Sequence, residues 1–263
     1  MSIFQPTAFY FGQPVTAAAG FIIRPDTYAS SVTIAIPGTQ FGSTFGQTSF
    51  RSDISGYING GSSLPELPLS GSGQTTNSTT NFASVPYGTS MSRGSSSNLG
   101  AIAGNTSNVA FGSAAWTVEY WMYIPTGQLT ADQAGLFAYS GQLGFINWTS
   151  GGTLFRFLRG PSDHIGDWTP SAGQVVVNTW YHVAMSYNGS GTTYCCFNGI
   201  VRQTISASGA IGTSSPFGIL GWNGNGGQGT AYFQDFRVTK GVGRYAASIG
   251  SSYTIPGSIV TTG

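Results

Sequence analysis

Acid–base chemistry in this chain has eight carboxylate side chains to draw on: Asp26, Asp53, Glu66, Glu119, Asp132, Asp163, Asp167 and Asp235. Glycoside hydrolysis needs two of them flanking the bond, about 5–5.5 Å apart for retention or 6.5–9.5 Å for inversion. Such a pair is most easily read where two carboxylates share one face of a strand. Glu119 stands alone in its strand, and no other carboxylate lies within twelve residues of it. It is therefore expected to be a hydrogen-bonded, partly buried structural residue. His182 has no Ser or Asp partner at a recognisable spacing and reads as a half-buried structural histidine. Cys195 and Cys196 are neighbours, so in a strand they point to opposite faces and cannot bridge each other. They read as small apolar packing residues.

One local cluster has the types a ligand site needs. Asp163, His164 and Asp167 stand close in sequence, and Trp168 follows them. Pro161 to Trp168 reads as a loop. Its first reading is a polar turn, with Asp and Gly present for backbone reasons. As a calcium site it supplies only some of the six to eight oxygens required. As a sugar contact it sets a flat indole beside hydrogen-bonding carboxylates. Trp148 and Trp222 are further candidate stacking residues. The glycine run around Gly224 has no GK[ST] and no following helix, so it is not a phosphate cradle. Asp235, Arg237, Lys240 and Arg244 gather charge in one stretch, which reads either as a docking surface or, preferred, as an internal ion-pair network that pins the last strand and turn. No cofactor and no metal is called for.

Composition narrows the class. Charged residues make up 6% of the chain, with 9 basic against 8 acidic, where a typical domain has about 25% charged. A nucleic-acid groove needs clustered Lys and Arg, and this chain has the single lysine Lys240. No apolar run reaches the roughly 20 residues of a spanning helix, so membrane insertion is not expected. The near-neutral surface favours association, and a homo-oligomer is the expectation. The N-terminus has neither a charged nor an apolar signal region, so synthesis in a cytoplasm without signal-peptide secretion is expected.

The elements that must position these residues are strands. Val32 to Ile36 alternates and stops at Pro37-Gly38. Trp116 to Ile124 is apolar on both faces apart from Thr117 and Glu119, the pattern of a central strand. Leu136 to Tyr139, Phe145 to Trp148, Leu154 to Leu158, Trp180 to Tyr187, Thr192 to Phe197, Ile200 to Ile205, Phe217 to Trp222 and Ala231 to Thr239 follow. Asn198-Gly199 is the strongest hairpin signal. Residues 37–110 are polar, with short strands and long loops expected. No amphipathic helix exceeds two turns. The fold class is all-β, an antiparallel two-sheet sandwich or jelly roll. Residues 1–24 read as an N-terminal arm, a docking element, and residues 25–263 as the jelly-roll domain.

Asn178 to Ala184, Asn198-Gly199 and Phe233 to Tyr245, in that order and spacing, resemble the laminin-G-like, concanavalin-A-like jelly rolls. More narrowly, they are similar to the version common in tailed-phage virion proteins. Trp116 to Tyr123 matches that family's early central strand, and Asp26 to Val32 resembles its opening strand. The resemblance covers about residues 25–255. It implies two antiparallel sheets stacked face to face. It also implies a non-enzymatic virion structural protein, a capsid decoration or a tail or fibre component, whose partners are other virion proteins. The alternative is a receptor-binding, lectin-like module that recognises host-surface glycans.

Overall fold

The computed structural model describes residues 21–23, 27–36, 49–50, 67–70, 75–78, 90–93, 100–102, 110–127, 134–139, 143–147, 154–159, 165–206, 217–219, 232–257 and 260–262. Eighteen strands lie among them. They are β1 (Phe21–Ile23), β2 (Val32–Ile36), β3 (Ser49–Phe50), β4 (Leu67–Ser70), β5 (Thr75–Ser78), β6 (Ser90–Arg93), β7 (Gly100–Ile102), β8 (Trp116–Tyr123) and β9 (Ala134–Tyr139). The rest are β10 (Leu143–Asn147), β11 (Phe155–Arg159), β12 (Ile165–Trp168), β13 (Trp180–Tyr187), β14 (Thr192–Phe197), β15 (Ile200–Ser206), β16 (Phe217–Ile219), β17 (Tyr232–Lys240) and β18 (Val260–Thr262). Among the described residues the one helical element is a 3-10 turn at Ala29–Ser31. It stands where the opening strand was expected, so that strand begins only at Val32.

Two eight-stranded antiparallel sheets form the sandwich. The first runs β15-β14-β13-β8-β17-β6-β5, with β2 also paired to β17. The second runs β12-β11-β10-β9-β16-β7-β4-β3. The strands expected from residue 116 onward are present, several with shifted ends. The 161–168 loop is corrected: its second half is strand β12, paired to β11 with Phe155 opposite Trp168 and Arg156 opposite Asp167. A short Gly- and Asp-containing segment carries no strand signal of its own; the neighbouring strand's register makes it one. The segment read as an arm also ends in structure, because β1 pairs antiparallel with β18 as a separate two-stranded sheet. Residues 1–20 lie outside the described residues.

The core lies between the sheets. From the first sheet it takes Trp116, Val118, Tyr120, Met122, Val183, Met185, Phe197, Phe236 and Val238, and from the second Phe155, Phe157 and Trp168. Rings meet across the gap, Phe155 to Phe197 at 5.4 Å and Trp168 to Phe197 at 4.9 Å. Burying each such side chain stabilises the fold by about 1.5–3 kcal/mol. Asn198 (φ 47) and Gly199 (φ 81) give both turn residues the positive φ of a type I′ hairpin, joining β14 to β15 with the right strand twist.

Both faces of β8 and β13 are buried. The inner face packs on the second sheet. The outer face is covered by residues 241–253, a strap that leaves β17 and crosses to the far edge of the sheet. Gly241 N–H donates to Ala115 O at 2.7 Å, and Thr117 Oγ1 donates to Val242 O at 3.1 Å. Arg244 N–H donates to Thr117 Oγ1 at 3.0 Å, and Tyr245 N–H to Ser186 Oγ at 3.0 Å. At the edge strand β15, Val201 N–H donates to Ser251 O at 3.0 Å and Gly250 N–H to Val201 O at 2.8 Å. Ser252 bridges Ile200 there. The strap thus also occupies pairing groups of an edge that would otherwise invite other chains.

Candidate functional site

Strand alternation puts Thr117, Glu119, Trp121 and Tyr123 of β8 on the outer face. Register then sets them beside Ser186, Ala184, His182 and Trp180 of β13. Arg237 of β17 lies opposite Glu119. The strap adds Arg244, Tyr245 and Tyr253. The outcome is a buried polar cluster. Arg237 Nε donates to Glu119 Oε1 at 2.7 Å, and Arg244 Nε lies 3.5 Å from the same oxygen while donating to Thr239 Oγ1 at 2.8 Å. The Tyr245 hydroxyl donates to Glu119 Oε2. His182 Nε2 stands 3.3 Å from Oε2, and Nδ1 is 2.9 Å from the Tyr253 hydroxyl. This assigns a neutral ring with its proton on Nε2, facing the carboxylate, and Nδ1 accepting from Tyr253.

Burial by itself raises the Glu119 pKa. The Arg237 charge, the hydrogen bond from His182 and the Arg244 charge together outweigh it and hold the carboxyl well below the usual range. Burial lowers the His182 pKa; Glu119 opposes this, and Arg237 adds to it. Burial first, and then the neighbouring carboxylate, pushes the Tyr245 hydroxyl far up. Near pH 7 Glu119 is thus ionised and His182 neutral. A general acid needs a proton to give and a route to substrate, and this carboxylate has neither.

The expectation of a structural Glu119 agrees with this placement. Sequence reasoning missed that Glu119 and His182 meet. Trp116–Tyr123 and Trp180–Tyr187 share one alternation, and their pairing register is what brings the two residues together. Tyr253 gave no signal, since it lies in an irregular tail, and Tyr245 entered only as the end of the stretch that carries the resemblance. Arg237 and Arg244 join an internal network, as read, but through Glu119. Cys195 and Cys196 are buried on opposite faces of β14 and form no disulfide. Cys196 packs with Ala184, Val201 and Tyr245 beneath the strap.

Two candidate ligand residues lie on β12. Asp167 is clamped by Arg156 through two bonds of 2.8 Å, Nε to Oδ1 and Nη2 to Oδ2. Trp168 is 8% exposed, stacked on Phe155 at 5.6 Å and packed on Phe197. The Arg202 guanidinium lies 4.7 Å from its ring centroid. Its indole is a core element, and the open face that sugar stacking requires is taken. Trp148, Asp163, His164 and Trp222 lie outside the described residues. Among the described residues no group of three His, Cys, Asp or Glu is placed to hold a metal. No helix there is long and apolar enough to cross a membrane.

Beyond the strap the same outer face continues as a row of rings, Tyr232, Tyr123 and Trp180, each half-buried. Exposed Asn178 and Thr126 flank it.

The sequence profile of the concanavalin A-like lectin/glucanases superfamily, in its laminin-G form, matches residues 97–242, more than half of the chain. The chain belongs to this superfamily. No curated protein matches it in sequence. Among solved structures, the binding domain of botulinum neurotoxin serotype D superposes with a TM-score of 0.53 at 11% identity, over 82% of this chain and 50% of its own. The receptor binding domain of the mosaic serotype C/D toxin gives 0.53 at 10%, over 82% and 49%. The serotype C1 binding domain gives 0.51 at 12%, over 81% and 49%. This superfamily member therefore spans about half the length of those domains, and at such identities the likeness is one of fold.

Proposed function

We propose that this chain is a non-enzymatic structural protein of a tailed-phage particle, carried on the particle surface as a capsid decoration or as part of the tail or its fibres. The observation that carries the non-enzymatic reading is the state of Glu119. The one carboxylate of the central strand is buried and ion-paired with Arg237, and the strap lies over it. The other described carboxylates do not supply a catalytic pair with it: Asp167 is clamped by Arg156 and Asp235 is buried in β17. The virion reading is supported by the resemblance of Phe233 to Tyr245 to phage sandwiches and by a surface poor in charge, suited to packing against neighbours. Cryo-electron microscopy of particles from the source tests it. Sandwich density at regular positions on the capsid, tail or fibres is the expected result; particles lacking it overturn the reading.

A second reading concerns recognition. The superfamily includes lectins by its description, and the solved neighbours are named as binding domains, one of them a receptor binding domain. These support a module that recognises host-surface glycans, a role compatible with display on a particle. Loss of host adsorption in the presence of excess purified chain is its expected signature.

A further inference from the structure

Tyr232, Tyr123 and Trp180 stand in register on three adjacent strands, β17, β8 and β13. Their ring centroids are 5.6 and 5.4 Å apart, a spacing set by strands about 4.8 Å from one another. The row runs across the strands. Half-buried aromatic rings keep an apolar surface in contact with water, which an apolar ligand face relieves. A polar collar adjoins the row. The Tyr123 hydroxyl donates to Asn178 Oδ1 at 3.3 Å, and Asn178 Nδ2 donates to Thr126 Oγ1 at 2.8 Å. Thr126 N–H also donates to Asn178 Oδ1, at 3.1 Å. These three bonds fix the Asn178 amide in place, on a backbone that holds φ 60.

Charge selects the occupant. Row and collar hold no group that is ionised near pH 7. Among the described residues, the cations of this face, Arg237 and Arg244, are already turned to Glu119. An acidic ligand would lose water with no counter-ion in the row or collar to replace it. A neutral saccharide chain offers what this surface accepts: C–H groups for the exposed parts of rings tilted 41° and 52° to their neighbours, and hydroxyls for the amide and hydroxyl collar. We propose that the Tyr232–Tyr123–Trp180 row binds a neutral glycan chain lying across the three strands. This rests on the recognition reading above and replaces the Trp168 loop as its site.

The test is calorimetric titration of the full chain with maltohexaose, cellohexaose, chitohexaose and laminarihexaose, and with sialyllactose as the acidic probe. Binding of at least one neutral hexaose is expected, weakened about tenfold or more by Trp180→Ala and by Tyr232→Ala. Saturation-transfer NMR on the unmutated chain, irradiating aromatic protons, keeps the test independent of variant folding; transfer to the bound hexaose is expected. A neutral hexaose that binds with no aromatic transfer, or binds both folded variants as well as the parent, puts the site elsewhere and leaves the recognition reading standing. Binding of sialyllactose alone overturns the neutral class. No binding by the parent chain overturns site and recognition reading together.

Discussion

Two guanidiniums and one carboxylate meet beneath the strap, and His182 stands beside them under Tyr253. Burial, helped by the Arg237 charge and opposed by Glu119, keeps the imidazole neutral, so acid acts against the fold. Both His182 and Glu119 have folded-state pKa values below their ordinary ones. For each, the unfolded chain binds more protons in the window beneath the ordinary value, and stability falls as pH falls. The first loss is expected as pH drops through about 6.5 and comes from His182; the second starts near about 4.3 and comes from Glu119. Urea midpoints measured from pH 8 to pH 4 check this, and His182→Gln should flatten the upper part. A curve level from pH 7 to pH 5 in the parent chain would contradict it. Glu119→Gln leaves the buried guanidiniums without their counter-charge and is expected to cost about 3–5 kcal/mol in chemical denaturation.

At the scale of elements, the strap depends on how closely it can approach β13. Gly243 passes so near that a Cβ there would lie 2.5 Å from the Tyr187 carbonyl oxygen. No real side chain tolerates that distance to backbone, so Gly243→Ala must lift the strap. The expected result is a loss of about 1–3 kcal/mol, with new proteolytic cleavage within residues 245–257. Cleavage unchanged from the parent would show that the strap is held by other means. Legibility was uneven here. Trp180–Tyr187 and Thr192–Phe197 could be read to the residue, because eight and six residues of β-forming types end at Asn-Gly turns. Ile165–Trp168 could not, because four residues with Gly and Asp hold no periodic signal.

Across the whole molecule, β1 and β18 pair with one another and join neither large sheet. Among the described residues, removing residues 1–24 therefore subtracts one three-residue strand and touches neither large sheet. The midpoint of thermal unfolding is expected to move by no more than about 2–4 °C, the equivalent of 1 kcal/mol for a chain of this size. Under the virion reading, the shortened protein should also fail to join particles, measured by co-sedimentation. A large fall in the midpoint would mean that the arm belongs to the core.

The residues alone determined the all-β class, the central strand at Trp116, the Asn198-Gly199 hairpin and the absence of a local carboxylate pair. Each of these is a matter of nearest neighbours along the chain, where alternation and turn chemistry act. Tertiary structure decided the rest. Pairing register, not sequence distance, set Glu119 against Arg237 and His182 across more than sixty positions of chain. Strand alternation in β12 turned Trp168 inward to Phe155 and Phe197, while Trp180, equally aromatic in sequence, came to lie in the half-open row. Which face of a strand meets water is fixed only when the second sheet and the strap have taken their places.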